Sequence, residues 1–191
     1  MAGTAGRGNF AAMQARNQEQ EWTAERLVAE NAERNRRLNR EYDPLRGIGC
    51  CGRRVECTVT GEGVMMVPEA MSGDKEFAPV MDRVSHARCR IRYDFEYWCA
   101  ACVRIKDKVT ARIVPFVLNA PQRRVAAMLE EMRTSRRPIR LIMLKARQWG
   151  GSTLVQIYMA WIQIVLRRNW NSLICGHLKD AASAIKGMYS R

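Results

Sequence analysis

The sequence predicts an α/β protein in which an incomplete parallel sheet is flanked by helices, and three stretches carry that expectation. Residues 139–144, IRLIML, are a short apolar run suited to a buried parallel strand. Residues 152–166 are of helix length and apolar on most sides, and residues 171–175, NSLIC, are a second short apolar run. Strand, helix and strand in that order make a βαβ unit, which needs a parallel sheet and a right-handed crossover. Residues 176–191 begin a further helix. A chain of 191 residues buries one sizeable core and is short for two complete enzyme domains.

Three segments are expected. Residues 1–45 are dense in Arg, Glu, Asn and Gln, with few large apolar residues beyond Trp22, Leu27, Val28 and Leu38. Mixed charges at helical spacing favour an exposed or partly disordered helix with a thin apolar stripe. Asp43, Pro44, Gly47, Gly49 and Gly52 interrupt it. Residues 46–92 form a small β-containing satellite, because RRVECTVT and VMMVP flank a turn at Gly61, Glu62 and Gly63.

Residues 93–191 form the front part of the main domain. Within 93–106, Phe95, Trp98, Cys102 and Ile105 recur at steps of three and four, predicting a helix that packs by that face. A turn and short strand follow, ending at Pro115 and Phe116. Asn119, Ala120 and Pro121 then start a helix with Val125, Met128, Leu129 and Met132 on one face, closed by Arg136, Arg137 and Pro138.

Between the strand at 139–144 and the following helix lies KARQWGGST, residues 145–153. A standard phosphate-binding loop, GxxxxGK[ST], wraps phosphates with glycine-permitted backbone N–H groups, neutralises them with Lys and ligates Mg²⁺ through a hydroxyl. Aligning Gly150 with the second glycine puts Ser152 at the hydroxyl position, Gly151 where Lys usually stands, and Lys145 where the first glycine stands. The charge has moved to the other end of the loop, where a flexible ammonium stem still reaches the phosphates. Arg147 adds a second cation, and the helix that follows directs its positive end at a bound anion. Thr153 is the alternative metal ligand. An ordinary basic strand-to-helix turn, with Ser152 as its cap, is the competing explanation.

Residues 116–191 resemble the N-terminal ATPase region of phage terminase large subunits, motors that pump double-stranded DNA into capsids. The resemblance rests on the loop form ARQxGxST, present as Ala146, Arg147, Gln148, Gly150, Ser152 and Thr153, with Trp149 and Gly151 between them. It rests also on Phe116, Leu118, Asn119 and Gln122 in PFVLNAPQ. It implies a partial P-loop NTPase fold, ATP and Mg²⁺ as cofactors, base recognition by Gln122, and Arg147 as an arginine finger acting in cis. The implied partners are double-stranded DNA, a portal protein, a small terminase subunit and, in the complete protein, a homo-oligomeric ring, all in the bacterial host cytoplasm. The family's acidic Walker B strand and nuclease domain have no counterpart here, so nucleotide binding is expected without independent turnover. A non-enzymatic adaptor or defective prophage remnant, and a fragment of another P-loop translocase, are the alternatives.

A formal charge of +13 and a pI near 10.0 point to a polyanionic partner, with a solvated surface as the plainer account. Seven cysteines and no secretory signal fit a reducing compartment, and no apolar stretch is long enough for a membrane span. Cys99 and Cys102 make a single CxxC inside a helical pattern, where cysteine more often packs as a small apolar residue than binds zinc.

Overall fold

The computed structural model describes residues 25, 26, 28–30, 33, 41–107, 111–144, 149–167, 169–173 and 175. Residues 25, 26, 28–30 and 33 are helical, with Val28 buried. The rest of the expected N-terminal helix, and the helix expected at 176–191, lie outside the described residues. The interruption after it is a closed turn. Asp43 and Ile48 exchange backbone hydrogen bonds of 2.9 and 2.8 Å, and Asp43 Oδ1 accepts from the N–H groups of Leu45 and Arg46, each at 3.0 Å. Tyr42 and Pro44 are fully buried, so this turn packs into the protein.

The expected hairpin is present. Strands β1 (Arg54–Val59) and β2 (Gly63–Pro68) pair antiparallel from Arg54 opposite Pro68 to Val59 opposite Gly63. Gly61 and Gly63, at φ 82° and 87°, supply the left-handed backbone of the turn. Alternation turns Cys57, Val59, Met65 and Val67 inward. Strand β3 (Val80–Met81) adds a short parallel pairing to β1, giving the order β2-β1-β3. Met71, Met81 and Cys89 complete this core, where unbranched methionine side chains fill irregular space.

Helix α1 (Arg83–Tyr93), like β3, is an addition to the sequence expectations. Its start is fixed by Asp82, whose side chain accepts from Val84 N at 2.9 Å and Ser85 N at 3.0 Å. After Asp94 comes α2 (Phe95–Cys102). The helix expected over 93–106 is therefore shorter, and one of its inward positions is corrected, while Ile105 still packs on the core. Cys102 is exposed, and the inward residues of α2 include Phe95 and Cys99. Ile105 lies instead on β4 (Arg104–Lys106), opposite Val114 of β5 (Ile113–Pro115). The β-branched Val103 and Ile105 alternate with exposed Arg104 and Lys106, a strand pattern that overrides continued helix.

Asp94 ties these pieces together. Its carboxylate accepts from Arg54 at 2.8 and 3.2 Å, from Arg90 Nε at 3.0 Å and from Tyr97 N at 3.2 Å. Arg90 also donates to the carbonyls of Pro44 and Leu45, at 3.0 and 2.6 Å. Burial pushes the Asp94 carboxyl up, but the Arg90 and Arg54 guanidiniums outweigh it and hold the group below its ordinary range.

Helix α3 (Ala120–Thr134) and helix α4 (Gly151–Trp161), which continues as a π turn over Ile162–Leu166, form the second core with α2. Phe95 meets Tyr158 edge to face at 4.9 Å, and Trp161 Nε1 donates to Ile91 O at 2.9 Å. Val125 and Leu129 of α3 are buried as expected, together with Gln122 and Ala126, whereas Met128 is 42% exposed.

The two apolar runs expected as buried strands differ most from expectation. Residues 139–144 form neither strand nor helix; Leu141 and Met143 pack on the core, but Ile142 and Leu144 are 94% and 99% exposed. Residues 171–173 are irregular and exposed, as is Cys175. A strand is covered on both faces only when neighbours and layers exist on both sides. Among the described residues neither run has them, so no parallel βαβ unit forms there, and the protein is a mixed α/β fold with small sheets. Among the described residues no helix is long and apolar enough to cross a membrane.

Candidate functional site

The site is built where the N-terminus of α3 meets that of α4. Asn119 and Gln122 form a reciprocal capping box. Asn119 Oδ1 accepts from Gln122 N at 3.0 Å, and Gln122 Oε1 accepts from Asn119 N at 2.9 Å. Each side chain also reaches the other segment. Asn119 Nδ2 donates to Trp149 O and Gln122 Nε2 donates to Gly150 O, both at 3.2 Å. Two stretches 28 residues or more apart in sequence are thus clasped by side-chain amides.

The glycines here have separate reasons. Gly150 sits at φ 82°, ψ 18°, and a Cβ there would lie 2.5 Å from Gln122 Nε2. Gly151 is buried beneath the Trp149 indole, where a Cβ would lie 2.5 Å from Trp149 Cζ2. No side chain caps α4, and Leu154 N–H is the donor that closes its first turn, onto Gly150 O at 3.0 Å. The earlier N–H groups of that turn face beyond the helix end, where the helix dipole favours an anion. The Ser152 side chain is exposed beside them, and Thr153 is partly buried.

Helix α4 is held rigidly behind this end. Leu154 and Trp161 are fully buried, and Tyr158 Oη donates to Glu130 Oε1 at 2.7 Å, a carboxylate that also accepts from Arg133 at 2.7 and 2.8 Å. Burial, with Glu130 adding to it, pushes the Tyr158 hydroxyl far above its ordinary value, so it serves as a donor.

Of the residues singled out in sequence, the structure brings Gln122, Trp149, Gly150, Gly151, Ser152 and Thr153 into one neighbourhood. Lys145, Ala146, Arg147 and Gln148 lie outside the described residues. Gln122 departs from its expected part in one respect: its amide oxygen and nitrogen are both engaged within the protein, on Asn119 and Gly150. Asn119 and Gln122 stand three residues apart at a helix start, a spacing that is itself a capping signature. Cys99 is buried in the core while Cys102 is exposed, and among the described residues no group of three or more His, Cys, Asp and Glu side chains is placed to hold a metal ion.

Compared with protein-family models, curated proteins and solved structures, the chain shows no match.

Proposed function

We propose that residues 145–153 with the start of α4 form a phosphate-binding loop, and that the chain is the N-terminal portion of a terminase-type motor that couples ATP to packaging of double-stranded DNA. The observation that carries this reading is the clasp from Gln122 to Gly150. It supports it by joining the two segments, PFVLNAPQ and KARQWGGST, on which the resemblance rests. The left-handed Gly150, the uncapped end of α4 and the basic sequence of the loop suit an anion there.

In this reading Lys145 neutralises the phosphates, Arg147 stabilises charge on the transferring group, and the backbone from Ala146 through Trp149 to Thr153 wraps the anion. Gln148 belongs to the same wrap. Gln122 holds the loop in shape from behind. The exposed Ser152 hydroxyl would supply one oxygen ligand to Mg²⁺, which when bound neutralises phosphate charge. The apolar run at 139–144 would be the strand that feeds the loop, pairing in a parallel P-loop sheet when neighbouring strands are present. Portal protein, small subunit and a homo-oligomeric ring are the partners this function requires.

Titration of a fluorescent ATP analogue into wild type, Lys145→Ala and Arg147→Ala tests the reading. Affinity is expected to drop about tenfold or more in each variant, the loss of a charge-assisted contact. Equal binding by all three proteins would overturn it. The exposed Ile142 and Leu144 favour a second reading, an adaptor that docks a partner along this strand. That reading predicts no nucleotide binding at all.

A further inference from the structure

Reading adenine by its edge needs a donor and an acceptor held side by side, and the amides of Asn and Gln present such a pair. Among the described residues two such amides stand beside the start of α4, those of Asn119 and Gln122. Both are spent within the fold. Asn119 Oδ1 accepts from Gln122 N at 3.0 Å, and its Nδ2 donates to Trp149 O at 3.2 Å. Gln122 Oε1 accepts from Asn119 N at 2.9 Å, and its Nε2 donates to Gly150 O at 3.2 Å. Gln122 is only 4% exposed, so its remaining N–H and lone pair have little open surface on which to meet a flat ring. Turning that amide toward a base would open the capping box and release Gly150 at once, breaking two enclosed hydrogen bonds.

The other polar groups described around the loop carry no base code. The Trp149 indole N–H is sealed from solvent. Ser152 and Thr153 bear hydroxyls, which rotate to donate or accept and so fit purine and pyrimidine edges alike. What the segment offers is phosphate chemistry: the N–H groups at the uncapped start of α4, the left-handed Gly150 and the basic sequence KARQ. Contacts of that kind are common to every nucleoside triphosphate.

We propose that the loop selects its ligand by the triphosphate and not by the base, taking ATP, GTP and CTP alike, with Gln122 a positioning residue for the loop. The proposal rests on the phosphate-binding reading of residues 145–153. It departs from the adenine-reading part that the terminase resemblance implies for Gln122, and the clasp to Gly150 is the reason.

Competition of ATP, GTP and CTP, each with Mg²⁺, against a fluorescent ATP analogue on the full chain tests it. The three should displace the analogue at concentrations within about threefold of one another, whereas a bidentate base contact is worth about tenfold or more. Gln122→Ala should weaken all three by the same factor, because it loosens the loop that holds their common phosphates. A base reader would lose ATP alone. If the variant does not fold, the wild-type ratios decide the question by themselves. ATP binding about tenfold tighter than GTP and CTP, or a Gln122→Ala loss confined to ATP, would overturn the proposal while leaving the phosphate loop in place. No binding of the analogue at all would bring down the loop assignment and this inference with it.

Discussion

The Gln122 side chain bridges two helix starts, accepting from Asn119 N–H at 2.9 Å and donating to Gly150 O at 3.2 Å. Gln122→Ala removes half the capping box and the clasp together, and should cost about 1–3 kcal/mol in urea denaturation. Gln122→Glu keeps an acceptor for Asn119 but sets a carboxylate oxygen against the Gly150 carbonyl, so it should be no better than alanine. A variant as stable as wild type would show that the clasp contributes nothing.

Gly150→Ala strains the backbone at φ 82°, at a cost of about 1–2 kcal/mol, and adds the close approach to Gln122 Nε2. Only the second part depends on Gln122. The double variant Gln122→Ala with Gly150→Ala should therefore be less destabilised than the two single losses combined, by roughly 0.5 kcal/mol or more. Strict additivity in thermal or urea unfolding would argue against the contact.

Asp94→Asn leaves two buried guanidiniums facing a neutral amide. Breaking such a pair from one side costs about 3–5 kcal/mol, so the variant should unfold at markedly lower urea or not accumulate at all. Acid acts on the same group. Its pKa is depressed on folding, so its stabilisation is complete above the ordinary carboxylate pKa of about 4 and is lost as pH falls below it.

His86 gives a second, higher window. Burial, then the Arg90 guanidinium, lowers its pKa from 6.5 to about 4. Between those values the unfolded chain binds a proton that the folded chain refuses, so stability decreases as pH falls from 6.5 towards 4. The slope contributed by this residue is at most about 1.4 kcal/mol per pH unit. His86→Leu should flatten the thermal midpoint over that range, while the loss below pH 4 persists through Asp94.

The hairpin and the start of α3 were legible because their signals are local: alternation around Gly61 and Gly63, and Asn119 with Pro121 and Gln122. Helix α1 was missed because RVSHARCRIRY carries almost no apolar stripe; what buries it is Cys89 and a fully enclosed Arg90. An arginine reads as surface until its carboxylate is known, and Asp94 follows a helix end that the sequence does not mark. The runs at 139–144 and 171–175 mislead for another reason. Apolar composition specifies that a segment wants cover, but only a neighbouring strand supplies it. Gln122 and Gly150 were both singled out, yet their contact spans 28 residues and no spacing rule predicts it.

The carboxylate of Asp94 joins Arg54 of the hairpin, Arg90 of α1 and the first turn of α2, while Arg90 holds the carbonyls after Tyr42. A cut between residues 92 and 93, where the composition invites one, would separate this anion from both of its cations. Neither product would then be a minimal folding unit. Fragments made for crystallisation or domain swapping should instead keep residues 42–102 whole, so that the ionic knot travels with every strand and helix tied into it.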